Sequence, residues 1–192
     1  MKEAHVVPIL KGLNLDGDDL KNFRPVSLLP FVSKLTERVV HARINEHLSD
    51  NGLHNPSQYG YKKNHSCETL LLKLVDDILV AVDSGSGVVL LIIDLSAAFD
   101  CVDHNKLLNI LFRKYKITGV ALSWLRSFLT GRSQRVKVGN YFSDSIVISF
   151  GVPQGSILGP LLFNLYCSSI DMMMPFNKLV FLVWDMLMII WV

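Results

Sequence analysis

The sequence predicts an α+β fold, and three features carry that prediction. The segment beginning at Ser66 repeats apolar residues at helical spacing: Leu71, Leu74, Val75, Ile78 and Val82 mark one buried face. The run VVLLIIDL (88–95) is continuously apolar and rich in β-branched residues, the pattern of a strand buried on both sides. Residues 134–149 alternate around Gly139-Asn140, the signature of a hairpin. No internal repeat or linker interrupts the chain, so one continuous domain is the simplest organisation.

The elements follow in order. Residues 1–30 read as irregular, with Pro8, Gly12, Gly17, Pro25 and Pro30 punctuating short apolar runs. Ser33 is placed to cap a helix reaching Asp50, where Asn51-Gly52 stops it. Residues 53–65 form a polar loop or hairpin. The helix from Ser66 is broken by Gly85-Ser86-Gly87. Asp103 can cap a helix over 104–114, and a further helix spans Gly119 to Leu129, closed by Gly131. GVPQGSILGP (151–160) is a turn entering a helix that ends near Asp171.

Composition limits the function classes. Half of the 192 residues are apolar and 19% are charged, which excludes global disorder. A net charge of +2 names no partner. Its distribution says more: no acid lies between Asp103 and Asp144, while Lys106, Arg113, Lys114, Lys116, Arg126, Arg132, Arg135 and Lys137 do. That is either a solvated basic face or a phosphate-facing surface. Cys67, Cys101 and Cys167 are widely spaced without a CxxC, which fits a reducing compartment and argues against a disulfide scaffold or zinc site. The N-terminus lacks the apolar core of a signal peptide. The apolar run 179–192 is shorter than the ~20 residues of a membrane span and contains Asp185. It reads as buried strand or abnormal sequence, with a membrane anchor as the minor alternative. The expected location is intracellular, nucleus or cytoplasm.

Two segments carry chemistry. In LLIIDLSAAFDCVDH (90–104) a carboxylate, Asp94, ends a buried strand. It is either a ligand for a divalent metal or the cap of the next turn. In FGVPQGSILGPLLFNLY (150–166), Gly151, Pro153, Gly155, Gly159 and Pro160 fix a tight backbone from which Gln154 projects. Such a backbone lets a ligand approach closely, or simply leads into a helix.

Together these segments resemble reverse transcriptases, in wording closest to those of the jockey-like LINE (non-LTR) retrotransposons. DLSAAFD is similar to motif A and GVPQGSILGPLLF to motif B. NFRPVSLLP (22–30) with SKLTERVV (33–40) resembles the first fingers motif. QYGYKKNHSCETLL (58–71) resembles the second, where many relatives carry phenylalanine and arginine near Tyr61 and Lys62. Four motifs in the family's order span nearly the whole chain.

The resemblance implies a right-hand polymerase fold, with residues 1–86 as fingers and 87–192 as a palm fragment. Helices would surround an incomplete antiparallel sheet. Asp94 would be catalytic and bind Mg²⁺, helped by the carbonyl of Leu95. Phe99 would stand under the sugar of the incoming deoxynucleotide and exclude a 2′-hydroxyl. Gln154 and Gly155 would pack against that nucleotide and the templating base. Arg24 and Lys62 would hold the triphosphate, while Lys34 reads better as a surface charge. Asp100 and Asp103 would be structural. Arg126, Arg132, Arg135 and Lys137 would face the backbone of an RNA template and DNA primer. The implied reaction adds deoxynucleotides to a primer 3′-OH, with two metals about 4 Å apart.

The sequence departs from the family where motif C, an aromatic residue followed by Ala-Asp-Asp, belongs. Near residue 185 stands KLVFLVWDMLMIIWV (178–192), and no Asp-Asp pair follows Asp94. Codons for Tyr-Ala-Asp-Asp, TAT GCT GAT GAT with a following A, read from their second base as Met-Leu-Met-Ile. Residues 186–189 are Met186-Leu187-Met188-Ile189. The expectation is a frame slip between Asn177 and Trp184. A chain so altered would be a C-terminally truncated, inactive fragment without thumb or endonuclease. The alternatives are a nucleic-acid-binding remnant without catalysis and a decayed element with no function.

Overall fold

A computed structural model of the chain describes residues 2–56, 58–62, 64–88, 90–94 and 99–168, with two strands at 178–181 and 187–191. Its elements in order are β1 (Glu3–Leu10), β2 (Phe23–Leu28), α1 (Phe31–Asp50), α2 (Cys67–Asp83), β3 (Leu90–Asp94), α3 (His104–Arg113), α4 (Gly119–Leu129), β4 (Arg132–Val138), β5 (Tyr141–Phe142), β6 (Ile146–Ile148), α5 (Leu158–Cys167), β7 (Lys178–Phe181) and β8 (Leu187–Trp191). The mixture is α+β, as the sequence predicts.

The N-terminal residues are not irregular. β1 and β2 pair antiparallel, and β1 also pairs parallel with β4. Prolines made these strands hard to see, yet register explains why they are tolerated. Pro8 lies directly opposite Pro25. The Lys11 N–H donates to the Asn22 carbonyl at 2.8 Å, so bonded pairs alternate from there and the Pro8/Pro25 pair needs no N–H toward its partner. The resulting sheet runs β2-β1-β4-β5, with β6 also on β4, and is mixed rather than purely antiparallel. A second, three-stranded sheet runs β3-β8-β7 and is antiparallel throughout. The apolar 179–192 segment thus contributes strands, and among the described residues no helix is long and apolar enough to cross a membrane.

The helices form where expected, with three corrections. α1 starts at Phe31 behind Pro30, so Ser33 is inside the helix and its hydroxyl donates to Glu37 Oε1 at 3.2 Å instead of capping. α5 ends at Cys167, short of Asp171. The third correction concerns α2. Ser66 caps it in a reciprocal box with Thr69, as a helix starting there requires. Its buried face, however, is Leu70, Leu74 and Asp77, while Leu71, Val75 and Val82 are each more than half exposed. Asp77 is the reason the stripe was misplaced. Lys73 donates to both its carboxylate oxygens at 3.0 and 2.9 Å, which lets a charge occupy the inner face.

The main core lies among α1, α3, α4 and α5. Ile44 and Leu48 meet Leu107, Leu111, Leu125, Leu129, Leu158 and Leu162, with Tyr115 buried among them. α3 and α4 form over the expected spans. Asp103 Oδ1 accepts from the Lys106 N–H at 3.0 Å and caps α3.

The corrected α2 face is testable. Leu74→Ala should destabilise by about 2 kcal/mol or more, and Leu71→Gln should stay within about 0.5 kcal/mol of wild type. Chemical denaturation of both variants measures this; the reverse ranking would restore the Leu71 face.

Candidate active site

Four segments converge around the turn 151–157. Two are glycine-dependent approaches. A Cβ on Gly151 would stand 2.9 Å from the Cα of Asp100, and Gly151 has a φ of +88°. A Cβ on Gly155, φ +98°, would stand 3.0 Å from the Ser27 carbonyl. No other residue permits both the left-handed backbone and the contact. The approach is locked by main-chain bonds. The Gly151 N–H donates to Val102 O at 2.7 Å and the Val152 N–H to Phe99 O at 2.8 Å. His104, buried, meets the Gly151 carbonyl through Nε2 at 2.7 Å.

Gln154 joins the three segments. Its side-chain amide donates to Asp100 Oδ2 at 3.0 Å, and its carbonyl accepts from the Ser27 N–H at 2.8 Å. Ser27 is at a β2 position whose N–H points away from β1, so the edge of that strand is satisfied by the turn. Phe99 packs on Phe163 of α5, with ring centroids 5.0 Å apart. A cavity of about 360 Å³ opens beside this junction, lined by Pro25, Ser27, Asp100, Phe150 and Gln154 among others. Burial raises the Asp100 pKa, and the bond from Gln154 opposes that shift.

Glu37 is the functional-region residue that sequence reasoning missed. It is 1% exposed, and its Oε2 accepts from the N–H groups of Ile157 and Leu158 at 2.7 and 3.3 Å. A carboxylate from α1 therefore caps the N-terminus of α5 beside Ser156, whose Oγ accepts from the Gly159 N–H at 2.9 Å, while Ile157 at the cap offers no side-chain acceptor. Its place inside SKLTERVV was the available signal, but a glutamate on a helix reads as solvated until its partner is known.

The remaining predicted residues distribute as follows. Asp94 ends β3, and its register partner is Leu187. Leu95 and Asp185 lie outside the described residues. Arg24 is exposed on β2, opposite Ile9. Lys62 donates to the Asn55 carbonyl at 3.2 Å and lines a separate cleft with His41, His54 and Asn164, away from the cavity of Gln154. Burial lowers the pKa of His41 there. Lys34 is exposed on α1.

Of the basic residues, Arg126 is exposed on α4, and Lys137 lies over the Phe142 ring at 5.6 Å. Arg135 pairs with Glu3 at 3.4 Å. Arg132 is 4% exposed and donates to the Phe128 carbonyl at 3.1 Å, so its charge lies inside the fold. Burial lowers its pKa, with the charge of Glu37 opposing.

Among the described residues no donor set for a two-metal centre assembles. Asp94 is a single carboxylate, and the β8 residues opposite the end of β3 are Leu187, Met188 and Ile189. Among the described residues no three of His, Cys, Asp or Glu group to hold a metal.

With this geometry in hand, the class is a right-hand polymerase fold. Apo telomerase from Candida tropicalis superposes with a TM-score of 0.62 at 14% identity, over 99% of this chain and 43% of that one. The chain belongs to the reverse transcriptase (RNA-dependent DNA polymerase) family, whose pattern matches residues 11–189. It is 37% identical over 155 residues to a probable RNA-directed DNA polymerase from transposon X-element of Drosophila melanogaster, covering 80% of this chain and 16% of that protein. It is 30% identical over 178 residues to the RNA-directed DNA polymerase from mobile element jockey of the same species, covering 92% and 19%. These relatives are of the LINE type, and the chain spans less than a fifth of their length.

Two outcomes follow from the junction. Glu37→Ala leaves two N–H groups without their acceptor and should destabilise by about 2–5 kcal/mol in urea unfolding; a change under about 0.5 kcal/mol would remove its capping role. Asp100 has a raised folded pKa, so its charge opposes folding above that value and the penalty vanishes below the unfolded carboxylate pKa. Asp100→Asn should therefore stabilise at neutral pH, with the gain shrinking as pH falls through the carboxylate range. Denaturation midpoints at neutral and acidic pH check this, and a pH-independent difference would rule it out.

Proposed function

We propose that this chain is the fingers and palm portion of a LINE-type retrotransposon reverse transcriptase, and that as written it binds template and primer without extending them. The family assignment supports the first half. RNA template, DNA primer and deoxynucleoside triphosphates are the corresponding partners. Asp94 is proposed as the metal ligand and catalytic carboxylate of the restored sequence. Phe99, Gln154 and Gly155 are proposed to flank the nucleotide, with Arg24 and Lys62 toward its phosphates. Exposed Arg126, with Arg135 and Lys137, supplies the phosphate-facing charge.

The observation that carries the second half is the register of β3 on β8. A one-base insertion that restores the family reading would place Gly-Tyr-Ala-Asp-Asp at positions 185–189. Its two aspartates would fall at 188 and 189, the register partners of Ile93 and Ile92. They would thus lie within two residues of the partner of Asp94. The strand where the second carboxylates belong is present, and Met188 and Ile189 occupy their positions. A two-metal phosphoryl transfer depends on charge stabilisation that one carboxylate does not supply. The family's Mg²⁺ is accordingly proposed for the restored sequence and not for this one. The alternative of a binding remnant has the same physical basis, the basic stretch, and differs only in biological use.

Primer extension on an RNA template, run beside filter binding of the RNA–DNA hybrid, tests this. The chain should bind the hybrid in a salt-sensitive manner and incorporate no nucleotide. Mn²⁺ calorimetry should show binding only after Asp185→Gly, Met186→Tyr, Leu187→Ala, Met188→Asp and Ile189→Asp are introduced together. Magnesium-dependent synthesis by the unaltered chain would overturn the inactivity, and loss of hybrid binding altogether would overturn the binding role.

A further inference from the structure

We propose that the groove between α1 and α4, on the helical side of the fold, docks an amphipathic helical segment of another protein that carries acidic residues beside an apolar anchor. The groove has a volume of about 620 Å³, in the range of sites that enclose a ligand group. Its floor reaches the core at Ile44, Ile117 and Leu125, each at most 6% exposed. Val40, Ala121 and Trp124 form its walls, and Val120 at its lip is 87% exposed. Trp124 is held in place by stacking on Phe128, ring centroids 5.6 Å apart and 11° between planes. A fixed, partly buried tryptophan beside an apolar floor is the kind of group that concentrates binding energy. Two helices bordering an apolar trough match the shape of a third helix.

Charge selects the occupant. The charged residues lining the groove are Arg43 and Lys116, and no lining residue is acidic. His47 also lines it, with Nε2 engaged to the Tyr115 carbonyl at 2.8 Å, so its ring is part of the wall. Lys116 supplies a second, independent indication. It follows α3 with a φ of +56°, a conformation in which glycine is the relaxed choice. The turn is nevertheless closed around it, with the Ile117 N–H donating to Leu111 O at 3.0 Å. Lys116 in this left-handed position places a cation at the groove's rim. Two cations over an apolar floor complement a carboxylate-flanked hydrophobic residue. A phosphate backbone would instead need a dense array of cations.

A display library of short random peptides selected against the chain tests this, with Ala121→Trp to fill the groove. Enriched peptides should pair an apolar or aromatic residue with Asp or Glu at helical spacing. Their affinity should fall at least about tenfold on Ala121→Trp. Lys116→Gly gives a signature that misfolding cannot mimic: higher thermal stability together with weaker peptide binding. The joint reversal Arg43→Glu and Lys116→Glu should transfer preference to lysine-flanked peptides. No enrichment, enrichment indifferent to Ala121→Trp, or dimerisation by light scattering that Ala121→Trp abolishes, which would assign the groove to a second copy, would overturn the proposal. Hybrid binding lost on Ala121→Trp would assign it to nucleic acid and overturn it equally.

Discussion

The arrangement of this domain depends on one buried carboxylate. Glu37 comes from the middle of α1, and its acceptors serve the first turn of α5, 120 residues away in sequence. The first N–H groups of a helix have no partner of their own. α5 begins within the core, where water is not available to them, and Ile157 at its cap offers no oxygen. Glu37 meets both needs at once: its charge suits the positive end of the helix and its two oxygens engage Ser33, Ile157 and Leu158. Charge-assisted bonds of this kind contribute about 1.5–3 kcal/mol each. More important than the sum is the geometry it imposes. α1 and the helix that follows the Gly/Pro turn cannot move independently.

Fixing α5 fixes the turn before it, and at that turn Gln154 meets Ser27 and Asp100. Gly151 and Gly155 admit backbone contacts that a methyl group would block, to Asp100 on one side and Ser27 on the other. Gln154 then spans both partners, one with its amide and one with its carbonyl. Its side chain is therefore oriented by Asp100 and its main chain by Ser27. Phe99 is held similarly, its ring on Phe163 and its carbonyl on Val152. A small set of hydrogen bonds thus ties β2, the 99–103 turn and α5 into one unit, with the cavity beside it.

Much of this was legible in the sequence, and the failures have physical causes. α3 and α4 were readable because Asp103 caps the first and Gly119 and Gly131 bracket the second. The 151–160 turn was readable because glycine and proline restrict the backbone locally. β1 and β2 were not, because their prolines are tolerated only through a cross-strand register that no local pattern encodes. The α2 face was displaced by Asp77, which is acceptable inside only because Lys73 pairs with it. Arg132 looked like a surface cation for the opposite reason: its burial depends on the Phe128 carbonyl and ring, which follow from tertiary packing. Glu37 was invisible as a cap because its function belongs to another helix.

The β3-β8 pairing separates what makes the sheet from what makes it reactive. Ladder hydrogen bonds involve only backbone groups, so Leu187, Met188 and Ile189 can pair with the end of β3 as well as carboxylates could. Apolar β-branched residues are favoured in such a position. A metal centre asks for the opposite, several carboxylates close together, which are mutually repulsive until a cation neutralises them. The forces that stabilise the strand and the residues that would equip a metal centre are therefore independent, and in this chain the strand pairs through an apolar set. Fold and family are carried by Glu37, the glycines and the helix faces.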